Sequence, residues 1–126
     1  MGVLNNIIVL NRGDTYEFDL TIADEASIDG RYKLRGDDAL YLGIMDPGQP
    51  FEEALIRKKY TAEDTDANGN LLAELKAEDT LDLLPGRYFY AVKLHMCHTD
   101  IDALGKEYVI DKVVTIINKT KFILCD

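Results

Sequence analysis

The sequence predicts an all-β fold of about seven to nine short antiparallel strands, and three observations predict it. The apolar period is mostly two. Gly, Pro, Asn or Asp punctuate the chain roughly every 8–12 residues. No segment carries the 3.6-residue period of a long helix.

The 126 residues fit one domain spanning 1–126, long enough to bury a core without staples. Hydrophobic residues are 47% and charged residues 29%, a balance that argues for a folded chain over a disordered one. Two cysteines, Cys97 and Cys125, are too few for a disulfide framework; free thiols are the plainer reading and a single bridge the alternative. Met1–Asn11 lacks a basic start, and Asn5 and Asn6 interrupt its apolar run, so it does not read as a secretory signal. Gly2 is not followed by the Ser or Thr of a myristoylation site, and no apolar run suits a membrane helix. The sequon Asn118-Lys119-Thr120 is read as a turn. A net charge of −9 argues against nucleic acid and anionic membrane as partners, because both are bound through basic patches.

Taken in order, Ile7–Leu10 is a short apolar strand ending in the turn Asn11-Arg12-Gly13-Asp14. Thr15–Ala23 alternates, with Tyr16, Phe18, Leu20 and Ile22 on the face to be buried. Asp24–Gly30 reads as a polar loop or one helical turn, and Arg31–Leu34 as a short strand before the turn Arg35-Gly36-Asp37. Ala39–Met45 places Leu40, Leu42 and Ile44 together and ends at Asp46-Pro47-Gly48-Gln49-Pro50. Phe51–Tyr60 is assigned to a strand, although Glu52 to Lys59 has helix-favouring composition. Asp64–Asn70 is a loop, Leu71–Leu75 a strand and Ala77–Leu81 one helical turn. Arg87–Met96 is the strongest strand, followed by a polar loop over Cys97–Lys106. Glu107–Ile117 and Lys121–Leu124 are the last two strands. Short alternating strands joined by regular turns suit an Ig-like antiparallel β-sandwich, although the Cys–Trp–Cys signature of true immunoglobulin domains is missing.

Several constellations invite chemistry. Asp64, Asp66 and Asn68 match the opening of a calcium loop, with Gly69 at the sharp turn. The bidentate Glu due at the twelfth place is Leu75, and Asn68-Gly69 between strands is a strong hairpin signal, so the loop is at most a weak calcium candidate. His95, Cys97 and His98, with Asp100 and Asp102 close by, suggest zinc. On a strand, however, His95 and Cys97 point one way and His98 the other, short of a four-ligand set. The two Arg-Gly-Asp tripeptides read as turns between strands rather than integrin ligands. Arg57, Lys58, Lys59, Lys119 and Lys121 suit the protection of exposed strand edges. There is no phosphate-binding Gly loop, nucleophile elbow or His-Glu-x-x-His motif, so no catalytic residues, cofactor or metal are expected and the chain is not read as an enzyme.

One longer pattern remains. Arg12-Gly13-Asp14-Thr15 leads into an alternating strand, and Ala39–Pro50 closes on a Pro-Gly turn. Ile56–Tyr60, Asp66-Ala67-Asn68-Gly69-Asn70-Leu71 and Glu78-Asp79-Thr80 follow. Leu84-Pro85-Gly86-Arg87-Tyr88-Phe89-Tyr90 then opens a strand, and Val109–Ile117 is a β-branched one. This resembles, over nearly the whole chain, the N-terminal Ig-like domain of the phage and prophage baseplate upper protein family. The resemblance implies a virion structural protein, a tail, baseplate or neck-type attachment module without cofactor or reaction. Its partners would be other phage subunits and further copies of itself in a homo-oligomer, and its place the virion or the bacterial host cytoplasm. The alternative from the residues is a carbohydrate- or ligand-binding β-sandwich module, with Tyr41, Phe51, Tyr60 or Tyr108 as the aromatic platform.

Overall fold

In the computed structural model, residues 7–20, 22, 24 and 30–126 are described. They are mostly strand. Five strands lie side by side in the order β1 (Ile8–Asn11), β7 (Glu107–Cys125), β6 (Gly86–Ile101), β3 (Ala39–Met45) and β4 (Ile56–Thr61). β2 (Tyr16–Leu20) and β5 (Leu71–Leu75) form a separate two-stranded sheet. A single helical turn, α1 (Ala77–Thr80), leads from β5 towards β6.

The period of two places the core. Leu20, Leu71, Ala73 and Leu75 of the small sheet join one apolar cluster with Leu40, Leu42, Ile44, Val92 and Leu94 of the large one. Phe122 is fully buried in the same cluster, edge-on to Tyr88. Lys58 of β4 ties the large sheet to the helical turn, because its ammonium lies 2.7 Å from the Asp79 carboxylate in α1. Arg57, Lys58 and Lys59 do occupy an edge strand of the large sheet.

Several expected elements differ. Not every pair is antiparallel: β1 runs parallel to β7, from Ile8 opposite Phe122 to Asn11 opposite Cys125. This register buries Ile8 and Leu10 beside Phe122 and Leu124, so the apolar phase of both segments is satisfied. Arg31–Leu34 is not a strand. Only Arg31 bridges, while the Tyr32 hydroxyl and the Arg35 N–H are drawn to the Asp38 carboxylate instead. Phe51–Tyr60 divides: helix-favouring composition wins for one 3₁₀ turn, Phe51–Glu53, and β4 begins at Ile56.

The first half of the polar segment Cys97–Lys106 is strand. β6 continues to Ile101, paired throughout with β7, and the turn is confined to the residues between Asp102 and Lys106. The polarity there reflects an exposed two-stranded ribbon rather than a loop. Asn118-Lys119-Thr120 is no turn, since β7 runs unbroken through it. Two register shifts on β6, between Tyr90 and Val92 and between Val92 and Lys93, absorb the extra β7 residues as bulges, which bend a strand without ending it. The Asn68-Gly69 turn forms, with Asp66 N–H bonded to the Asn70 carbonyl and a bridge between Thr65 and Leu71. Its flanking strands nevertheless enter different sheets, so it joins layers rather than closing a hairpin. The loop or helical turn expected over Asp24–Gly30 lies for the most part outside the described residues.

Candidate functional site: a hairpin arm and the cluster at its base

The β6–β7 hairpin outruns its sheet. Pairing of β3 with β6 stops at Ala39 opposite His95, whereas β6 and β7 stay paired to Ile101 opposite Glu107. On the far side of β7, the described residues of β1 cover only Phe122–Cys125, which leaves a long open edge. The arm is conspicuously apolar where it meets solvent: Leu104 is 93% exposed, Val109 73%, Val113 64% and Ile101 61%.

A buried polar cluster fixes the base of the arm. Asp38 is 1% exposed, at the entry to β3, and its carboxylate meets four donors. Oδ1 accepts the Cys97 N–H at 2.7 Å and faces His98 Nδ1 at 2.8 Å; Oδ2 accepts the Tyr32 hydroxyl at 2.6 Å and the Arg35 N–H at 3.1 Å. Burial pushes this carboxyl up, but the bonds from His98, Tyr32 and the two backbone N–H groups outweigh it and hold Asp38 below the usual carboxylate range. Burial and the same hydrogen bond drive the Tyr32 phenol well above its ordinary value. Arg35 spans the cluster, reaching His98 Nε2 at 3.0 Å and Asp100 at 2.9 Å. An arginine only donates, so Nε2 accepts and the His98 proton sits on Nδ1, aimed at Asp38.

The opposite face of the ribbon carries His95 and Cys97, two residues apart on β6, with Asp111 directly across from Cys97 on β7. His95 Nε2 lies 2.6 Å from Asp111 Oδ1, and the ligand atoms of all three residues fall within 4.8 Å of one another. The sequence reading placed His95 and Cys97 together and His98 apart, and the structure agrees. Asp111 was missed. Its proximity depends on the register of a hairpin whose outer part, from Cys97 to Lys106, reads as a loop. Asp100 goes to Arg35, and Asp102 closes the tip by accepting the N–H groups of Leu104 and Lys106.

The weak calcium candidates have other employment. Asp66 accepts the N–H groups of Asn68 and Asn70 and the Asn70 side-chain amide, and its carboxyl is lowered, most by the Asn70 N–H. Asp64 turns back onto the Thr61 N–H, and Asn68 is exposed in the turn. Both Arg-Gly-Asp tripeptides lie in turns: Asp14 N–H bonds to Asn11, and Asp38 N–H to Arg35. Cys97 and Cys125 are unbridged and sit in distant parts of β6 and β7. Of the candidate aromatics, Tyr60 packs on the core and Tyr108 is exposed on the arm, while Tyr41 and Phe51 line one cleft with Arg57 and Lys59. Among the described residues no helix is long and apolar enough to cross a membrane. No protein-family model matches the chain, and no curated protein matches it.

Proposed function

We propose that this chain is an assembly protein, an Ig-like β-sandwich of a phage or prophage virion that joins other subunits through its β6–β7 arm. The observation that carries the assembly reading is the arm itself. A ribbon with four large apolar side chains more than half exposed and one open strand edge favours a protein partner, which would bury the first and pair the second. The arm's rigid base supports the same reading, because a preordered element loses less entropy on docking. The phage attribution rests on the sequence resemblance, and the acidic surface suits docking to basic protein surfaces rather than to nucleic acid.

Solution mass by light scattering across a concentration series tests the proposal. A defined oligomer is expected for the native chain, and a monomer for the double variant Val109→Asp, Val113→Asp with unchanged thermal stability. A native monomer at every concentration, together with capture of no phage structural subunit, would sink the assembly reading. The cleft holding Tyr41 and Phe51 beside Arg57 and Lys59 favours a second reading, carbohydrate or ligand binding. A glycan array with no signal would remove it.

A further inference from the structure

We propose that His95, Cys97 and Asp111 form a zinc site on the outward face of the arm, with one coordination position open to solvent. This inference does not depend on what the arm docks to.

The strand period and the hairpin register create the arrangement. Residues two apart on β6 share a face, and the residue opposite Cys97 on β7 projects from the same face, so three ligand types converge. An imidazole, a thiol and a carboxylate are the donor set zinc takes, at about 2.0–2.3 Å each. Tetrahedral geometry at those lengths separates donor atoms by about 3.3–3.7 Å. The three donors already lie within 4.8 Å of one another. Asp111 has 66% of its side chain exposed, and His95 35%, so both can rotate by the small amount required. The 2.6 Å contact between His95 and Asp111 already holds the imidazole and carboxylate together.

The local charge favours a cation. Asp111, Asp37 and Asp38 all lie close enough to the Cys97 sulfur to act on it. The same negative field attracts a divalent ion. On binding, the S–H proton passes to buffer and the thiolate sulfur takes its place on the metal. Water fills the fourth position, since Val109 and Val113 flank Asp111 on this face and neither offers a ligand. The acidic turns elsewhere do not compete on these terms. Asp66 and Asp102 accept the N–H groups that close their own turns and have no imidazole or thiol beside them.

The test uses the full chain, reduced and freed of metal, titrated with Zn²⁺ by calorimetry and with Co²⁺ by absorbance. One metal per chain and a near-ultraviolet thiolate-to-cobalt band are expected. Cys97→Ser should abolish the band, and His95→Gln and Asp111→Asn should each weaken Zn²⁺ binding more than about tenfold. Cys125→Ser should change neither. In the unaltered protein, Zn²⁺ should shield Cys97 from alkylation in a peptide map while Cys125 still reacts, a readout that needs no variant to fold. Absence of saturable binding, a band surviving Cys97→Ser or lost in Cys125→Ser, or equal alkylation of Cys97 with and without Zn²⁺ would overturn the proposal.

Discussion

Asp38 and His98 meet at 2.8 Å in the sealed base of the arm, with 0% and 3% of their side chains exposed. One lies before β3 and the other in the part of β6 that has outrun β3, so the contact anchors the free ribbon to the body of the fold. Every oxygen lone pair that Asp38 uses is filled by a donor. Replacing it with Asn keeps the shape but turns an N–H₂ group towards donors. Asp38→Asn should therefore lower stability by about 2–4 kcal/mol, read from the urea midpoint. A loss under about 0.5 kcal/mol would mean the cluster does not hold the arm.

The same carboxylate sets an acid limit. Its folded-state value lies below the ordinary 3.8, so over this range the folded chain binds fewer protons than the unfolded one. The stability contributed is complete above the unfolded value and is lost as pH falls below about 4 towards the folded one. The urea midpoint should be flat near neutrality and drop below about pH 4, and Asp38→Asn should flatten the drop. Asp66, Asp79 and Asp100 are also held low and will keep part of the slope. An unchanged slope in the variant would show that Asp38 is not among the groups titrating.

Gly36 closes the cluster from the other side. Its φ is +59°, and a Cβ built there would stand 2.8 Å from the His98 Cβ and 3.2 Å from the Cys97 carbonyl oxygen. Gly48 has a comparable φ of +81° with nothing within 4 Å, which makes it an internal control. Gly48→Ala should show only the backbone strain, about 1–2 kcal/mol. Gly36→Ala should lose that and about 1–3 kcal/mol more for the collision with the arm. Equal losses in the two variants would refute the close approach.

The arm also marks where sequence reasoning reaches its limit. Alternation found β2 and suits β5, each with one apolar face, while β3 is buried on both faces and was legible as a short apolar run closed by a Pro-Gly turn. β6 beyond Met96 has no such face: Cys97 and Thr99 look outward, and His98 is buried for the sake of Asp38 rather than the apolar core. Polar composition there means a ribbon outside the body, which local pattern does not distinguish from a loop. Asp38 was equally invisible, because an acidic residue after Arg-Gly-Asp reads as turn chemistry until Cys97 and His98 arrive from some 60 positions away to join the local donors Tyr32 and Arg35. The His95–Cys97 half of the metal cluster could be read from strand period alone. Asp111 required the hairpin register, which a tip centred on Asp102–Lys106 would have supplied.

Gly43 carries the last prediction, on the face of β3 away from the main core. Its backbone is ordinary, so the residue is small for steric reasons: an added Cβ would lie 2.8 Å from Phe51 Cε2 and 3.2 Å from the Ala54 Cβ. Phe51 also lies under the Lys93 ammonium, 5.0 Å from its ring centroid, a contact that opposes a swing of the ring. Gly43→Ala should lower stability by about 1–3 kcal/mol in the native background. In a Phe51→Ala background the nearer obstacle is gone and only the 3.2 Å approach to the Ala54 Cβ is left, so the same change should cost under about 1 kcal/mol. The urea midpoints of the four proteins in this double-mutant cycle give the coupling directly. A Gly43→Ala loss of the same size in both backgrounds would place the constraint on the strand backbone and not on the ring.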